Sequence, residues 1–302
     1  MNIPYPFSLI NNNVHKNRLE VLPAFYWMHN IYALERNSWK TKNRDRRKEK
    51  IQRFETDYLA PDTAEEIINA ITLLEKLLSD NGLPPDLTDK DEKYVHEIPC
   101  QGIEHSKREQ VIIKPYEALT CYRRMLRYYA VKTFLEFADK TKETEGCSIS
   151  AHNRVTDWVN IGGQIVPAFR LDELRKDINE GKIKTWDEIH RVYASWDESY
   201  QLDKCTHAWA VLFFILEVNK TKDLKKELDA ALEIRNWIET HIKESRVKDY
   251  SNPFKKATFR NTEEMEQVLG KVKENPFILI VQKETAAFRE MIERAKAEIS
   301  YV

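Results

Sequence analysis

Glycine is scarce in this chain, which has seven glycines among 302 residues, against an average usage of about 7%. Tight β-turns, β-bulges and phosphate-cradling loops depend on glycine, because its backbone adopts positive φ without steric cost. The scarcity therefore favours helices. The sequence also contains no dinucleotide-binding fingerprint, Walker A loop, nucleophile elbow or helical zinc-protease motif, so no motif assigns a reaction.

Cysteine is sparse as well, and its spacing fits no framework. Cys100, Cys121, Cys147 and Cys205 include no Cys-x-x-Cys pair, the spacing expected of zinc ribbons and redox motifs. The N-terminus, MNIPYPFSLINNNVHKNR, lacks the basic and apolar regions of a secretory signal. Together these features predict four reduced thiols and a cytoplasmic protein.

Long apolar runs are missing too. The longest is near residues 208–218, AWAVLFFILEV, about half of the roughly 20 residues that a membrane-spanning helix needs. We therefore expect a buried helix here and no membrane partner.

Positive charge is distributed unevenly, although the formal net charge is only -1 and the isoelectric point is near 6.7. Residues 36–62, RNSWKTKNRDRRKEKIQRFETDYLAPD, hold much of it. One interpretation is an anion-binding surface, and the other is a solvated helical face laced with Glu49 and Glu55. The near-neutral isoelectric point argues against a dedicated nucleic-acid binder.

The aromatic helix before this run suggests a buried arginine. Arg36 would be buried and paired with Asp57 or Asp62, because a buried guanidinium needs a carboxylate. The exposed members of the run would be Arg46, Arg47 and Lys48.

The predicted fold is all-α, with roughly ten packed helices and at most a few short strands. One helical module covers 1–302, with sub-lobes at 14–140 and 150–302 separated by the polar stretch 139–150. An unpaired strand at Phe7–Ile10 and a short strand near 109–114 are the exceptions. The periodicity predicts a helix at 19–40 and a second helix that continues from it to about 57. Further helices are predicted at 62–80, 115–140, 170–180, 186–199, 201–219, 223–247, 262–274 and 277–299.

The adjacent pair Gly162-Gly163 marks one candidate site, because two glycines in a glycine-poor chain imply positive φ or a close backbone approach. A ligand could lie against this loop, with Arg154, Asp157 and Trp158 just before it. The alternative is a tight connection between two helices.

A second cluster follows at Trp196–Trp209. Asp203 and His207 are four positions apart and share a helix face, where they could bind a ligand or lie in an aromatic-lined helix crossing. By contrast, Tyr128 and Lys132 form a Tyr-x-x-x-Lys pattern without the glycine fingerprint of a dehydrogenase. We interpret that pair as a structural helix face.

The candidate ligand-binding residues are Arg36, Asp57, Arg154, Asp157, Trp158, Gly162, Gly163, Gln164, Asp203 and His207. The loop residues His96, Cys100 and His105 match no zinc-finger spacing, so no metal site is predicted. The sequence assigns no catalytic residue and no cofactor, and leaves open whether the protein is an enzyme.

Several segments resemble a family of uncharacterised proteins from Bacteroides-type gut bacteria. They are IPYPFSLINNNV, LPAFYWMHNIYALERNSWKTKNRDRRK, DYLAPDT and WVNIGGQIVPAFRLDELRKDINEGKIKTWDEIH. In those proteins a left-handed β-helix of the hexapeptide-repeat transferase kind precedes a helical region. The resemblance implies an N-terminal β-helix domain as a partner within one longer protein. This chain contains no hexapeptide-repeat coils, which implies a C-terminal fragment.

Two functions are therefore open. One is an accessory or assembly module of a β-helix protein that acts on sugars or nucleotides. The other is a helical enzyme or ligand-binding domain for an anionic small molecule, with homo-oligomers compatible with either. A deep polar pocket with converging charges would favour the second function, and a flat surface with structural ion pairs would favour the first.

Overall fold

The computed structural model describes residues 3–48, 52–105, 107–141, 154–215 and 221–300. It is mostly helical, at 64%, with about 10% strand in two small sheets. The predicted dominance of helices is confirmed. The all-α class is confirmed only in part, because two small sheets are present, and the described part of the chain has eight helices of two turns or more rather than ten.

The helices are α1 (Phe25–Asn43), α2 (Pro61–Asp80), α3 (Pro115–Thr141), α4 (Ala168–Asn179), α5 (Trp186–Ala210), α6 (Thr221–Ser251), α7 (Thr262–Leu269) and α8 (Pro276–Ser300). The strands are β1 (Leu9–Asn13), β2 (Arg18–Leu22), β3 (Glu97–Cys100), β4 (Glu109–Ile113), β5 (Trp158–Ile161) and β6 (Gln164–Pro167). Single turns of helix lie at Pro253–Lys256 and Val272–Glu274, and a π-helical turn at Val211–Ile215 continues α5.

The first sheet has the strand order β1-β2-β4-β3. Strand β1 pairs antiparallel with β2, which pairs parallel with β4. The predicted unpaired strand at Phe7–Ile10 is therefore wrong, and so is the helix predicted to begin at residue 19. The sequence RLEVL pairs as a strand between two neighbours, and Ala24, with φ 55°, turns the chain into α1. The strand predicted near 109–114 is confirmed as β4.

Helix α3 is the centre of the main core. It packs against α2, α5, α6 and α8, and its side chains Tyr122, Leu126 and Tyr129 are buried. Each such side chain contributes about 1.5–3 kcal/mol when it leaves water. From α1, Trp27 stacks on Trp237 of α6, with ring centroids 6.0 Å apart.

The basic run does not form the second helix predicted to reach residue 57. Helix α1 ends at Asn43, and the described residues between it and α2 are irregular. The Glu55 carboxylate accepts hydrogen bonds from the backbone N–H groups of Thr56 and Asp57, and Asp57 accepts one from Leu59. Such side-chain bonds compete with helical hydrogen bonding, which explains the irregular backbone.

The C-terminal half differs from the prediction mainly in where helices end. The segments predicted at 186–199 and 201–219 form one helix, α5, which begins at a capping box formed by Thr185 and Glu188. Helix α7 ends at Leu269 because Gly270 has φ 74°. Most of the predicted boundary, 142–150, and the end of the second predicted segment, 216–219, lie outside the described residues.

The thiols differ from the prediction. Cys100 and Cys121 are free, but Cys205 is buried and disulfide-bonded, so the prediction of four reduced thiols is wrong. Cys147 lies outside the described residues. The argument from reduced thiols to the cytoplasm fails at Cys205. Within the described ranges, no helix is long and apolar enough to cross a membrane.

The two-glycine segment is the turn of an antiparallel hairpin, β5–β6, not a connection between helices. Gly162 and Gly163 have φ 61° and 105°. The carbonyl of Gly163 accepts a hydrogen bond of 2.9 Å from the backbone N–H of Glu55. A Cβ on Gly163 would lie 2.8 Å from Cδ1 of Phe54, whereas one on Gly162 would meet nothing within 4 Å. The hairpin thus fixes the irregular segment after α1.

Replacing each glycine by alanine separates the requirement for positive φ from the requirement for space beside Phe54. We expect Gly162→Ala to lower the free energy of unfolding by about 1–2 kcal/mol, the usual cost of left-handed backbone for a residue with a Cβ. Gly163→Ala should cost about 1 kcal/mol more, because it also displaces Phe54. Urea denaturation of both variants measures the difference. Equal losses would contradict a close contact with Phe54.

Candidate functional site

A cleft lies between the end of α1, the segment 52–60 and helices α3, α5, α6 and α8. It consists of two adjoining cavities. The cavity on the α8 side, here called the α8 cavity, has a volume of about 290 Å³, and the cavity on the α5 side, the α5 cavity, about 400 Å³. Small-molecule sites occupy about 300–1,000 Å³. The two cavities share Lys42, Thr56, Asp57, Lys132 and Glu136.

An ion pair forms the wall between the cavities. Lys132 of α3 donates a hydrogen bond to Asp57 and lies 3.4 Å from Glu136. Burial alone would raise the pKa of Asp57, but the nearby ammonium groups of Lys132 and Lys204 outweigh it and lower the pKa to about 2. Asp57 therefore stays ionised throughout the physiological range.

A second buried pair closes the floor of the α5 cavity. Lys204 of α5 lies 2.8 Å from Glu55 Oε2, which also accepts a hydrogen bond of 2.5 Å from the Tyr200 hydroxyl. Burial would raise the pKa of Glu55, and the charge of Lys204 outweighs it, so the pKa is lowered. At the side, Arg53 pairs with Asp197 at 2.8 Å.

Glu35 of α1 lines the α8 cavity, and its environment shifts its pKa in the opposite direction to that of Asp57. Burial raises the pKa of Glu35 by more than the charge of Arg235 lowers it. Its Oε1 accepts a hydrogen bond of 2.7 Å from Tyr58. Its Oε2 is 3.9 Å from Arg235, too far for a hydrogen bond, and accepts none from the rest of the described chain. Two carboxyls of opposite pKa shift, Glu35 and Asp57, thus line one cavity.

The rim of the α5 cavity is basic. Lys42 at the end of α1 and Lys140 near the end of α3 are exposed, and neither has a carboxylate partner among the described residues. Beside them, the Arg47 guanidinium lies over the Phe54 ring, 3.5 Å from its centroid, and pairs with Asp45 at 2.8 Å. The rim therefore offers two unpaired ammonium groups to an anion.

A separate polar network is buried behind the hairpin. His207 Nε2 is 2.8 Å from Glu65 Oε1, and His207 Nδ1 is 2.9 Å from the Tyr129 hydroxyl. Burial lowers the pKa of His207, so we assign a neutral ring that donates to Glu65 and accepts from Tyr129. Arg154 also reaches Glu65, at 3.1 Å. The network links α2, α3 and α5.

Of the ten predicted site residues, Asp57 lines both cavities and the other nine line neither. Arg154 and His207 meet at Glu65, and Trp158 packs its ring edge-on against His207, with centroids 5.7 Å apart. Asp203 accepts a two-point contact from Arg170, at 2.6 and 2.9 Å. Asp203 and His207 therefore have different partners.

The remaining predicted residues belong to or flank the hairpin. Gly162 and Gly163 form its turn, and Gln164 is buried and donates to the Tyr193 carbonyl at 2.9 Å. Asp157 is exposed, and its backbone carbonyl accepts from Ala168. Whether any of these residues binds a ligand stays a prediction.

The predicted environment of Arg36 is wrong. Arg36 is half-buried, donates a hydrogen bond of 2.7 Å to the Tyr32 hydroxyl and lies over the rings of Tyr32 and Phe277. No carboxylate among the described residues pairs with it. Arg46 and Lys48 are exposed as predicted, but Arg47 is half-buried. The buried arginine of the cleft is Arg235, which contacts Tyr128, Val281, Glu284 and Thr285.

The sequence interpretation missed most cavity residues, yet one signal was visible. Tyr128 and Lys132 are four residues apart on a helix whose inward face is otherwise apolar, and both line the α8 cavity. A charged residue next to the buried face of a core helix needs a partner. No sequence feature identified Glu35, Tyr58 or Lys204, because their partners are distant in the chain.

The profile of a family described as "Domain of unknown function (DUF6819)" matches residues 142–297. The chain belongs to this family. An uncharacterized protein of Treponema pallidum (strain Nichols) is 38% identical over 300 residues, which is 95% of this chain and 41% of that protein. No solved structure matches the chain.

These matches show how far the family extends over the cleft. The profile match includes Lys204, Arg235 and Glu284 of the cleft but not α1 or α3. The match to the Treponema protein covers nearly the whole chain and so reaches the α1 and α3 side as well. The chain spans less than half the length of this relative.

In the described residues no cluster of three or more histidine, cysteine or acidic side chains could hold a metal ion.

Removing Lys132 should destabilise the protein more than removing Arg36. Lys132→Ala removes the hydrogen-bonded cationic partner of Asp57 in the wall of the cleft, and breaking such a buried pair costs about 3–5 kcal/mol. Arg36→Ala removes contacts with aromatic rings and should cost about 1 kcal/mol. Chemical denaturation at pH 7 compares them. A loss for Arg36→Ala as large as for Lys132→Ala would contradict this account of the ion pair.

Proposed function

We propose that this domain binds an anionic small molecule in the α5 cavity. The proposal is carried by the unpaired ammonium groups of Lys42 and Lys140, which stand on two different helices at the rim of one cavity. An anion between them would gain charge-assisted hydrogen bonds without breaking an existing ion pair.

The charge balance of the cavity supports the proposal. Among the described residues that line it, cations outnumber carboxylates. The cations are Lys42, Arg47, Arg53, Lys132, Lys140 and Lys204, and the carboxylates are Asp45, Glu55, Asp57 and Glu136. Since each of these carboxylates has a cationic partner within 4 Å, the unpaired positive charge lies at the rim, where an incoming anion meets it first.

The domain acts, in this proposal, as part of a longer bacterial protein. The resemblance to Bacteroides-type proteins supports a left-handed β-helix as the neighbouring domain, for which this one would serve as an accessory module. The greater length of the Treponema relative leaves room for such a domain. A structure of that full-length relative without a β-helix would contradict this part of the proposal.

Anion binding can be tested with inorganic phosphate and pyrophosphate by isothermal titration calorimetry at low ionic strength. We expect the double variant Lys42→Gln/Lys140→Gln to weaken binding at least tenfold, because hydrogen bonds to charged groups contribute about 1.5–3 kcal/mol each. Both lysines are exposed, so the fold should not change.

The matched control is Lys90→Gln/Lys93→Gln, which removes the same charge from exposed positions away from the cleft. Its affinity should equal that of the wild type. Equal weakening in both double variants would show a general effect of net charge. The absence of any binding to the wild-type protein would refute the proposal.

A further inference from the structure

The two cavities of the cleft have opposite electrostatic character. In the α5 cavity cations outnumber carboxylates, as described above. Among the described residues that line the α8 cavity, the carboxylates of Glu35, Asp57, Glu136 and Glu284 outnumber the cations of Lys42, Lys132 and Arg235. An anionic group entering the cleft is therefore attracted to the α5 side and repelled from the α8 side. A ligand with one charged end has only one favourable orientation.

The α8 cavity has the groups that bind hydroxyls. Glu35 Oε2 lies in it without a hydrogen bond from any described residue. The Glu136 and Glu284 carboxylates are about half exposed, at 41% and 56% of their side chains. A hydroxyl both donates and accepts hydrogen bonds, so it can bridge a carboxylate to a neighbouring Lys132 or Arg235. Carboxylates next to cationic donors thus suit a ligand with several hydroxyls.

Aromatic rings complete the lining of this cavity. Trp39, Tyr58, Tyr128 and Phe288 all border it, and their faces can cover the apolar C–H surface of a ring that carries hydroxyls at its edge. The volume of about 290 Å³ is near the lower limit for small-molecule sites and suits a single ring. The shared pair of Lys132 and Asp57 lies where the two parts of the ligand would meet.

We propose that the two cavities are one bipartite site for a phosphorylated monosaccharide. The phosphate lies in the α5 cavity near Lys42 and Lys140, and the sugar ring lies in the α8 cavity among Glu35, Glu284 and Arg235. This inference rests on the proposed anion binding and adds the class of ligand. Every side chain that this inference assigns to the ligand lines one of the two cavities.

Calorimetric titrations with four probes test the ligand class. The probes are inorganic phosphate, glucose, glucose 6-phosphate and adenosine 5′-monophosphate. We expect the sugar phosphate to bind at least tenfold more tightly than inorganic phosphate, and glucose alone to bind most weakly. Tighter binding of the nucleotide than of the sugar phosphate would overturn the proposal in favour of a nucleotide site.

Two carboxylate variants locate the sugar ring. Glu284→Gln and Glu35→Gln should each weaken glucose 6-phosphate binding about tenfold and leave inorganic phosphate binding unchanged. If Glu35→Gln fails to fold, Glu284→Gln still tests the proposal, because the Glu284 side chain is more than half exposed. The matched control is Glu290→Gln, an exposed residue of the same helix that lines neither cavity.

The outcomes separate this inference from the proposed function. Failure of the wild-type protein to bind any anion would refute both the proposed anion binding and the bipartite site. If inorganic phosphate binds and depends on Lys42 and Lys140, but the sugar phosphate binds no more tightly, only the bipartite site is overturned. Loss of sugar phosphate affinity in Glu290→Gln equal to that in Glu284→Gln would also overturn it.

Discussion

The cleft depends on two ion pairs that hold the irregular segment after α1 against the helices behind it. Asp57 binds Lys132 of α3, and Glu55 binds Lys204 of α5. Burying these charges is costly, and the hydrogen bonds that satisfy the carboxylates compensate for the cost. The backbone N–H groups of the segment itself supply several of them. The same carboxylates that stop this segment from forming a helix therefore also fix it in place.

The hairpin β5–β6 supports the segment from the other side. Its glycine turn accepts a hydrogen bond from Glu55 and leaves space for the Phe54 ring. Phe54 is then contacted both by the turn and by the Arg47 guanidinium. Two glycines in a glycine-poor chain are explained by this close approach. The structural role does not exclude a ligand nearby, and the cleft itself lies along the same segment.

The charge separation within the cleft follows from this arrangement. The helix ends of α1 and α3 project Lys42 and Lys140 at the rim, while Glu35 and the α8 residue Glu284 lie further along the cleft beside Arg235. Burial raises the pKa of Glu35, while the lysines lower that of Asp57. Groups with such opposed shifts in one cavity are frequent at functional sites, although structural ion pairs produce them too.

The sequence by itself determined most of the helices. The spacing of apolar residues in α2, α3 and α8, the capping box at Thr185 and the stop after Asp80 are local features, and local hydrogen bonding and side-chain contacts decide them. Strand β2 and the hairpin were missed for a physical reason. A strand of five residues has too short a pattern to distinguish it from the start of an aromatic helix, and its stability comes from partners elsewhere, such as β4.

Only the tertiary structure decided which charges meet. Lys132 is 75 residues from Asp57, Lys204 is 149 from Glu55, and His207 is 142 from Glu65. No local pattern encodes such pairs, because each carboxylate had many basic residues available and only the packing of α2, α3 and α5 selects one. Arg36 shows the same limit. Its aromatic neighbours on α1 suggested a buried residue, but it is only half-buried, and the packing of α8 placed the Phe277 ring against it, where a carboxylate was expected.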